Sequence, residues 1–173
     1  GYDVYYEEKS PQTRQRFIKN LRKACDWAEE AQVVLAIEIM DDPFINSIEK
    51  YLAVEKEIDS PYLFVYPDIG NVSAWHNDVY SEFYLGHHAI AALHLKDTYA
   101  VTESSKGQFR DVPFGQGCVK WEEAFDILKQ TNYNGPFLIE MWSENCETVE
   151  ETRAAIQEAQ AFLYPLIKKA GLM

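Results

Sequence analysis

Stretches with helical periodicity alternate with short apolar runs along the chain, and this order constrains the fold more than any other feature. The apolar runs occupy residues 33–41, 62–71, 89–97 and 135–143. The helical stretches occupy residues 10–32, 46–59, 76–86, 119–132 and 148–169. Parallel strands need crossover connections, so the order α(βα)₄ predicts a parallel sheet with helices packed around it.

Capping residues mark where several of these helices begin. Ser10 is the predicted cap of the first helix, and Asn46 with Glu49 three residues later is the predicted cap of the second. Thr148 and Glu151 have the spacing of a capping box at the last helix. The apolar runs are nearly continuous, which is typical of strands that are covered on both faces.

Length and charge narrow the class of protein. The chain has 173 residues, of which 47% are hydrophobic, and this is enough for one domain spanning residues 1–173. The net charge of −12 repels nucleic-acid phosphates, so we expect no nucleic-acid partner. No run approaches the ~20 apolar residues of a membrane span, so we expect no membrane partner.

Cysteine usage and the first residues bear on the compartment. Cys25, Cys118 and Cys146 are far apart and odd in number, which fits a reducing cytoplasm better than a disulfide framework. Residues 1–10 have no basic region followed by an apolar one, so we expect no signal peptide. The chain does not begin with Met, and we expect a processed protein or a piece of a longer one.

A metal-capable side chain lies at the carboxyl end of each predicted strand. These residues are Glu38, Asp68, His94 and Glu140. Because the carboxyl ends of parallel strands meet at one edge, where α/β proteins hold their active sites, we expect the four side chains to converge. Carboxylates suit Mg²⁺ or Mn²⁺, and an imidazole shifts the preference toward Mn²⁺, Co²⁺, Fe²⁺ or Zn²⁺. A bound cation would offset the cost of placing three carboxylates together.

Two basic residues are candidates for the same edge. Lys96 shares a strand face with His94 because side chains alternate with a period of two, although a surface ion pair is an equal alternative. Arg110 lies in the polar, glycine-rich segment 98–117, where a phosphate group is one candidate partner. An exposed loop without a ligand is the other interpretation of that segment.

Several motifs together resemble one enzyme family. They are "GYDVYYE", "AIEIMD", "YPDIGNVSAWHND", "LHLKDT", "VPFGQG" and "GPFLIEMWSE". The chain is similar from end to end to the L-ribulose-5-phosphate (L-xylulose-5-phosphate) 3-epimerases of ascorbate utilisation, which are also described as hexulose-6-phosphate isomerases. These belong to the xylose-isomerase-like TIM-barrel superfamily.

The resemblance implies roles for particular residues. The metal ligands would be Glu38, Asp68, His94 and Glu140, and the two glutamates would also act as acid and base. Asn71 and Arg110 would contact the substrate, and Lys96 is a further candidate because it shares a strand face with His94. A full barrel has eight βα units and about 250 residues, so the resemblance implies that this chain is the C-terminal half. Four strands cannot close a barrel, and we expect another copy or another chain to complete it as a homo-oligomer or a complex.

The implied reaction is the epimerisation at C3 of a ketopentose phosphate through an enediolate. The metal would polarise the carbonyl, and the two glutamates would serve opposite faces of C3. An aldose–ketose isomerase on the same metal is the first alternative, and a metal-dependent AP endonuclease is disfavoured by the acidic charge. An inactive, truncated half-barrel is the alternative from a different class.

Overall fold

The computed structural model describes residues 8–173, so the motif at residues 1–7 lies outside the described residues. The elements follow the predicted order, except that a second helix and a 3₁₀ turn also lie between the second and third strands. The helices are α1 (Pro11–Ala31), α2 (Ile48–Ile58), α3 (Ile69–Ala74), α4 (Val79–Gly86), α5 (Trp121–Gln130) and α6 (Val149–Ala170), with a 3₁₀ turn at His87–Ala89. The strands are β1 (Leu35–Glu38), β2 (Leu63–Tyr66), β3 (Leu93–Leu95) and β4 (Phe137–Ile139), which are shorter than the apolar runs.

The strands are parallel and lie side by side in chain order. β1 pairs with β2, and β3 pairs with β4. Single bridges from Val65 to Ile90 and from Asp68 to His94 join the two pairs. Across that joint the amide of His94 donates to the carbonyl of Pro67 at 3.0 Å. The carboxyl ends of the strands therefore meet at one edge, as the alternation of elements predicts.

The predicted caps are confirmed for α1 and α6, and the predicted cap of α2 is wrong. Ser47, not Asn46, caps α2, because its hydroxyl accepts a hydrogen bond from the amide of Lys50. Asn46 instead accepts a hydrogen bond from the Lys50 ammonium group at 2.6 Å. Glu82 from α4 accepts the first free amides of α2, which a local pattern cannot reveal.

Helix α3 is absent from the sequence prediction, which ended the second strand at Asp68 and expected no helix directly after it. Asp68 ends the extended backbone and caps α3, since its carboxylate accepts a hydrogen bond from the Asn71 amide at 2.7 Å. Gly70 lets this helix approach β3 closely. A Cβ atom at Gly70 would lie 2.6 Å from the Lys96 carbonyl oxygen and 2.8 Å from Thr98 Cγ2.

The buried core lies between the sheet and helices α1 to α6, while the two edge strands are partly open. The interior strand β3 is fully buried, as the apolar runs predict. Near the edges, Val33, Val34 and Leu138 are 55%, 54% and 51% exposed. The expectation that all strands are covered on both faces is therefore wrong for β1 and β4, because the sheet is open beside them. In residues 8–173 no helix has the length and apolar character needed to cross a bilayer.

Replacing Gly70 tests how tightly α3 is packed against β3. We expect Gly70→Ala to lower the free energy of unfolding by about 1–3 kcal/mol, because the new methyl group overlaps backbone that cannot move freely. Urea denaturation measures the change. The control is Ser73→Ala on the same helix, for which we expect a change within about 0.5 kcal/mol. Equal stability of the two variants would contradict the close packing.

Candidate metal centre

Four side chains from the four strand ends meet at one point. Glu38 is the last residue of β1, Asp68 follows β2 by two positions, His94 is the central residue of β3, and Glu140 follows β4 directly. One ligand-type atom from each residue lies within 4.8 Å of the corresponding atoms of the others. The four side chains that were expected to converge therefore lie together at one edge of the sheet.

The Nδ1 atom of His94 points to the middle of this group. It lies 2.8 Å from Glu140 Oε2, 3.0 Å from Glu38 Oε1 and 3.9 Å from Asp68 Oδ2. The ring of Tyr66 packs against the imidazole, with 4.1 Å between the ring centroids. Carboxylate oxygens this close to a ring nitrogen are favourable when the nitrogen carries a hydrogen that it can donate, or when a cation lies among the four groups.

Three side chains of the centre have shifted pKa values when no cation is bound. Burial lowers the pKa of His94, but the carboxylates of Glu140 and Glu38 outweigh burial and raise this pKa to about 9. Burial raises the pKa of Asp68 well above its ordinary value. Burial also acts to raise the pKa of Glu140, yet His94, Asp68 and Lys96 lower it to about 2. The lowered pKa keeps Glu140 charged beside His94.

Lys96 faces the centre, as the alternation of side chains along the strand predicts. Its ammonium nitrogen lies 3.2 Å from Asp68 Oδ2 and 3.2 Å from Glu140 Oε1, and the residue is buried. The same nitrogen lies 5.0 Å from the ring centroid of Trp142. The alternative of a surface ion pair is therefore wrong, because both carboxylate partners belong to the centre.

The donor set fits a divalent cation. Within residues 8–173, the buried oxygens Asp68 Oδ2 and Glu140 Oε2 have no hydrogen bond of acceptable geometry, although charged nitrogens are near them. Leaving such acceptors unpaired is costly. Three carboxylates, a neutral imidazole and the Lys96 ammonium group carry a formal charge of −2, which a divalent cation neutralises.

The other two predicted site residues line a cavity of about 240 Å³ beside the centre. Asn71 is buried and donates from its amide nitrogen to the carbonyl of Ile39 at 2.9 Å, while its amide oxygen is unpaired among the described residues. Arg110 is exposed at the cavity mouth, with its guanidinium carbon 5.0 Å from the Trp142 ring centroid. Trp142 thus contacts both basic side chains, which its position two residues after Glu140 alone does not reveal.

Comparison with known proteins places this arrangement in a family. The family model described as "Xylose isomerase-like TIM barrel" matches residues 1–166. The chain belongs to the xylose isomerase-like TIM-barrel family.

Relatives within the family are similar along the whole chain. A protein of Haemophilus influenzae named SgbU, whose name gives L-ribulose-5-phosphate 3-epimerase as a provisional assignment, is 51% identical over 173 residues. The L-ribulose-5-phosphate 3-epimerase UlaE of Escherichia coli is 46% identical over 173 residues. These residues are 100% of this chain but 59% and 58% of the two relatives.

A solved structure of an L-ribulose 3-epimerase shows the same fold. Its TM-score is 0.76 at 18% sequence identity, and the match covers 98% of this chain and 59% of the other. The chain therefore has the architecture of part of a xylose isomerase-like barrel. The α/β half-barrel expected from the sequence is confirmed by its four parallel strands and by this likeness.

The charge state of the metal-free centre predicts how stability depends on pH. His94 has a folded-state pKa of about 9 against an ordinary value of 6.5, so its stabilisation is complete below about pH 6.5 and is lost as pH rises through about 9. We expect the free energy of unfolding to fall by up to about 3 kcal/mol over this range. The raised pKa of Asp68 acts in the same direction, while the lowered pKa of Glu140 removes stability only below about pH 4.5.

Urea denaturation in the presence of a chelator measures this dependence. The variant His94→Gln should lose most of the decline between about pH 6.5 and about pH 9. His88→Gln is the matched control, because His88 is exposed and lies outside the centre. Parallel pH profiles for the two variants would show that the carboxylates do not hold a proton on His94.

Proposed function

We propose that this chain carries the metal site and the acid–base pair of a 3-epimerase acting on a ketopentose phosphate, L-ribulose 5-phosphate or L-xylulose 5-phosphate. The observation that carries the proposal is the convergence of Glu38, Asp68, His94 and Glu140 within 4.8 Å. Relatives with epimerase names, 46–51% identical over the entire chain, support the choice of substrate.

Glu38, Asp68, His94 and Glu140 would hold the cation, and Mn²⁺, Zn²⁺, Co²⁺ and Mg²⁺ are all compatible with three carboxylates and one imidazole. When bound, the cation supplies Lewis-acid polarisation of the substrate carbonyl. Lys96 keeps two of the carboxylates oriented through its contacts with Asp68 and Glu140. Tyr66 restricts the ring of His94 by packing against it.

Glu38 and Glu140 are the proposed acid and base. They lie at the carboxyl ends of β1 and β4, the two outer strands of the sheet, so they approach the centre from opposite sides. One carboxylate removes the proton from C3 and the enediolate forms. The other delivers a proton to the opposite face of C3, which inverts the configuration.

Arg110, Lys96 and Asn71 are the proposed substrate contacts, and the phosphate would bind Arg110. The guanidinium group lies at the mouth of the cavity that Glu38, Asn71, Lys96 and Glu140 also line. A planar guanidinium group is well suited to a phosphate. With the phosphate held at the mouth, the sugar carbons extend inward toward the two glutamates.

Mn²⁺ binding and hydrogen–deuterium exchange at C3 of the substrate, measured on the same protein preparation, test this proposal. We expect one-site Mn²⁺ binding by calorimetry, and a loss of affinity of at least about 100-fold in Glu140→Gln, since outer residues alone account for ~10–100-fold. The Mn²⁺-loaded chain is then incubated with L-ribulose 5-phosphate in D₂O. Deuterium at C3, detected by NMR, is the expected result.

The control is Glu158→Gln, which removes an exposed carboxylate on α6 and should leave Mn²⁺ binding unchanged. Equal binding by both glutamate variants would exclude the proposed centre. Deuterium at C1 instead of C3 would indicate the alternative reaction, an aldose–ketose isomerisation. Mn²⁺ binding without any exchange would indicate that the described half-barrel is inactive alone.

We also propose that residues 1–173 form a single domain corresponding to the C-terminal half of the barrel, in the cytoplasm, and that a second copy covers its open edges. A groove of about 480 Å³ beside β4 is lined by apolar side chains that include Leu138, Met141 and Ile156. Val33 and Val34 are exposed at the opposite edge. A two-fold axis along the barrel would bring β1 of one copy next to β4 of the other in parallel orientation.

Sedimentation analysis tests the second copy. We expect the mass of a dimer, and Leu138→Asp should shift it to a monomer because a carboxylate would be buried at the interface. Val149→Asp is the matched control, since Val149 is exposed in the first turn of α6, where an acidic residue is favourable. A monomer of unsubstituted chain would show that a different polypeptide segment covers the edges.

A further inference from the structure

Asp97 is a buried carboxylate that the proposed chemistry does not use. It follows Lys96 at the end of β3 and is 1% exposed. Among the described residues, its Oδ1 atom accepts hydrogen bonds from the amides of Thr98 at 3.0 Å and Val119 at 3.3 Å. Its Oδ2 atom accepts from the amides of Gly115 at 2.8 Å and Gly117 at 3.2 Å, and from the Trp121 indole at 3.3 Å.

These donors all belong to one loop and to the helix that follows it. The loop, residues 98–119, leaves the sheet after β3 and returns to it before α5. Because side chains alternate along a strand, Lys96 faces the metal centre while Asp97 faces the loop. One strand end therefore fixes both a charge in the centre and the backbone of the loop.

The returning arm of the loop, which contains Gly115 and Gly117, lies in close contact with this carboxylate. A Cβ atom at Gly117 would lie 2.0 Å from Asp97 Oδ1 and 2.4 Å from the Thr98 carbonyl oxygen. Gly115 has φ +82°, and a Cβ atom there would lie 2.5 Å from Phe162. Glycine at both positions allows the backbone to approach the carboxylate and the α6 ring closely.

The loop carries Arg110 between two anchors. On the outgoing side, Tyr99 and Gln108 exchange backbone hydrogen bonds of 2.9 and 3.1 Å, and the amide of Val101 donates to the carbonyl of Ala74 at 2.8 Å. On the returning side the anchor is the Asp97 carboxylate. Arg110 lies between them, at the cavity mouth.

We propose that Asp97 is a positioning residue that acts through Arg110: it holds the returning arm of loop 98–119 so that the guanidinium group stays over the cavity and binds the phosphate of the substrate. This inference rests on the proposed function, because it requires Arg110 to contact that phosphate. It assigns Asp97 a role in affinity for the phosphorylated end of the sugar and none in metal binding.

The sign of the effect separates this role from simple electrostatics. Removing a carboxylate near an anion site lessens repulsion, so Asp97→Asn would bind phosphate more tightly if charge alone mattered. Positioning predicts the opposite, since Asn cannot accept all of these hydrogen bonds and the returning arm loosens. We expect a loss of roughly tenfold, comparable to losing one charge-assisted hydrogen bond.

The experiment compares two ligands, L-ribulose 5-phosphate and L-ribulose, by calorimetry on the Mn²⁺-loaded chain. Asp97→Asn should weaken binding of the phosphorylated sugar about tenfold and change binding of L-ribulose and Mn²⁺ less than about twofold. Combining it with Arg110→Met should cause no loss beyond that of Arg110→Met alone, because both changes remove the same contact. Asp111→Asn is the control for charge removal on the same loop.

Additive losses in the double variant, or tighter phosphate binding by Asp97→Asn, would overturn the inference while the proposed function stands. An unsubstituted chain that binds both sugars equally would overturn the phosphate contact and this inference with it.

If Asp97→Asn fails to fold, Gly117→Ala replaces it, because the added methyl group separates the arm from an intact carboxylate. In Gly117→Ala, hydrogen exchange at the Gly115 amide should be faster, and the affinity for the phosphorylated sugar should fall while the affinity for L-ribulose does not. Unchanged affinity for the phosphorylated sugar in this variant would also refute the inference.

Discussion

The fully buried carboxylate of Asp68 is the group on which the rest of the site depends. One of its oxygens caps α3, and the other points at Lys96 and His94. A buried carboxylate is unfavourable unless hydrogen bonds and positive charge compensate it. Lysine, a protonated imidazole and a divalent cation are three ways to supply that charge, and in this structure Lys96 Nζ and His94 Nδ1 lie 3.2 and 3.9 Å from Asp68 Oδ2.

Because side chains alternate along a strand, the residues at the end of β3 contact two different parts of the site. His94 and Lys96 face the carboxylates, whereas Asp97 binds the returning loop. Beneath them, the carbonyl of Lys96 lies against Gly70, so α3 and its cap are held at a fixed distance. The centre, the helix and the loop are thus coupled through the successive residues His94 to Asp97 at the end of β3, and a shift of this segment would disturb all of them.

The sequence was sufficient for the four strands, for the five longer helices and for the four side chains that meet at the centre, because periodicity and strand ends are local signals. It was insufficient where the local structure depends on a residue that is distant in the sequence. Asn46 and Ser47 are both good caps, and the choice depends on Glu82 from another helix. Asp68 lies at the end of a predicted strand, yet its carboxylate also caps a helix. Exposure of Leu138 depends on what lies beside an open sheet, which no strand pattern specifies.

The half-barrel holds every charged group that the proposed epimerisation needs, but it does not enclose them. Glu38 and Arg110 remain open to solvent on the side where the sheet ends. Water competes with a carboxylate for the enediolate and screens the attraction between a guanidinium group and a phosphate. Donors and acid–base groups can therefore assemble on four consecutive strands, while exclusion of water requires polypeptide beside β1 and β4. Metal affinity should then be a property of this half, and turnover a property of the closed barrel.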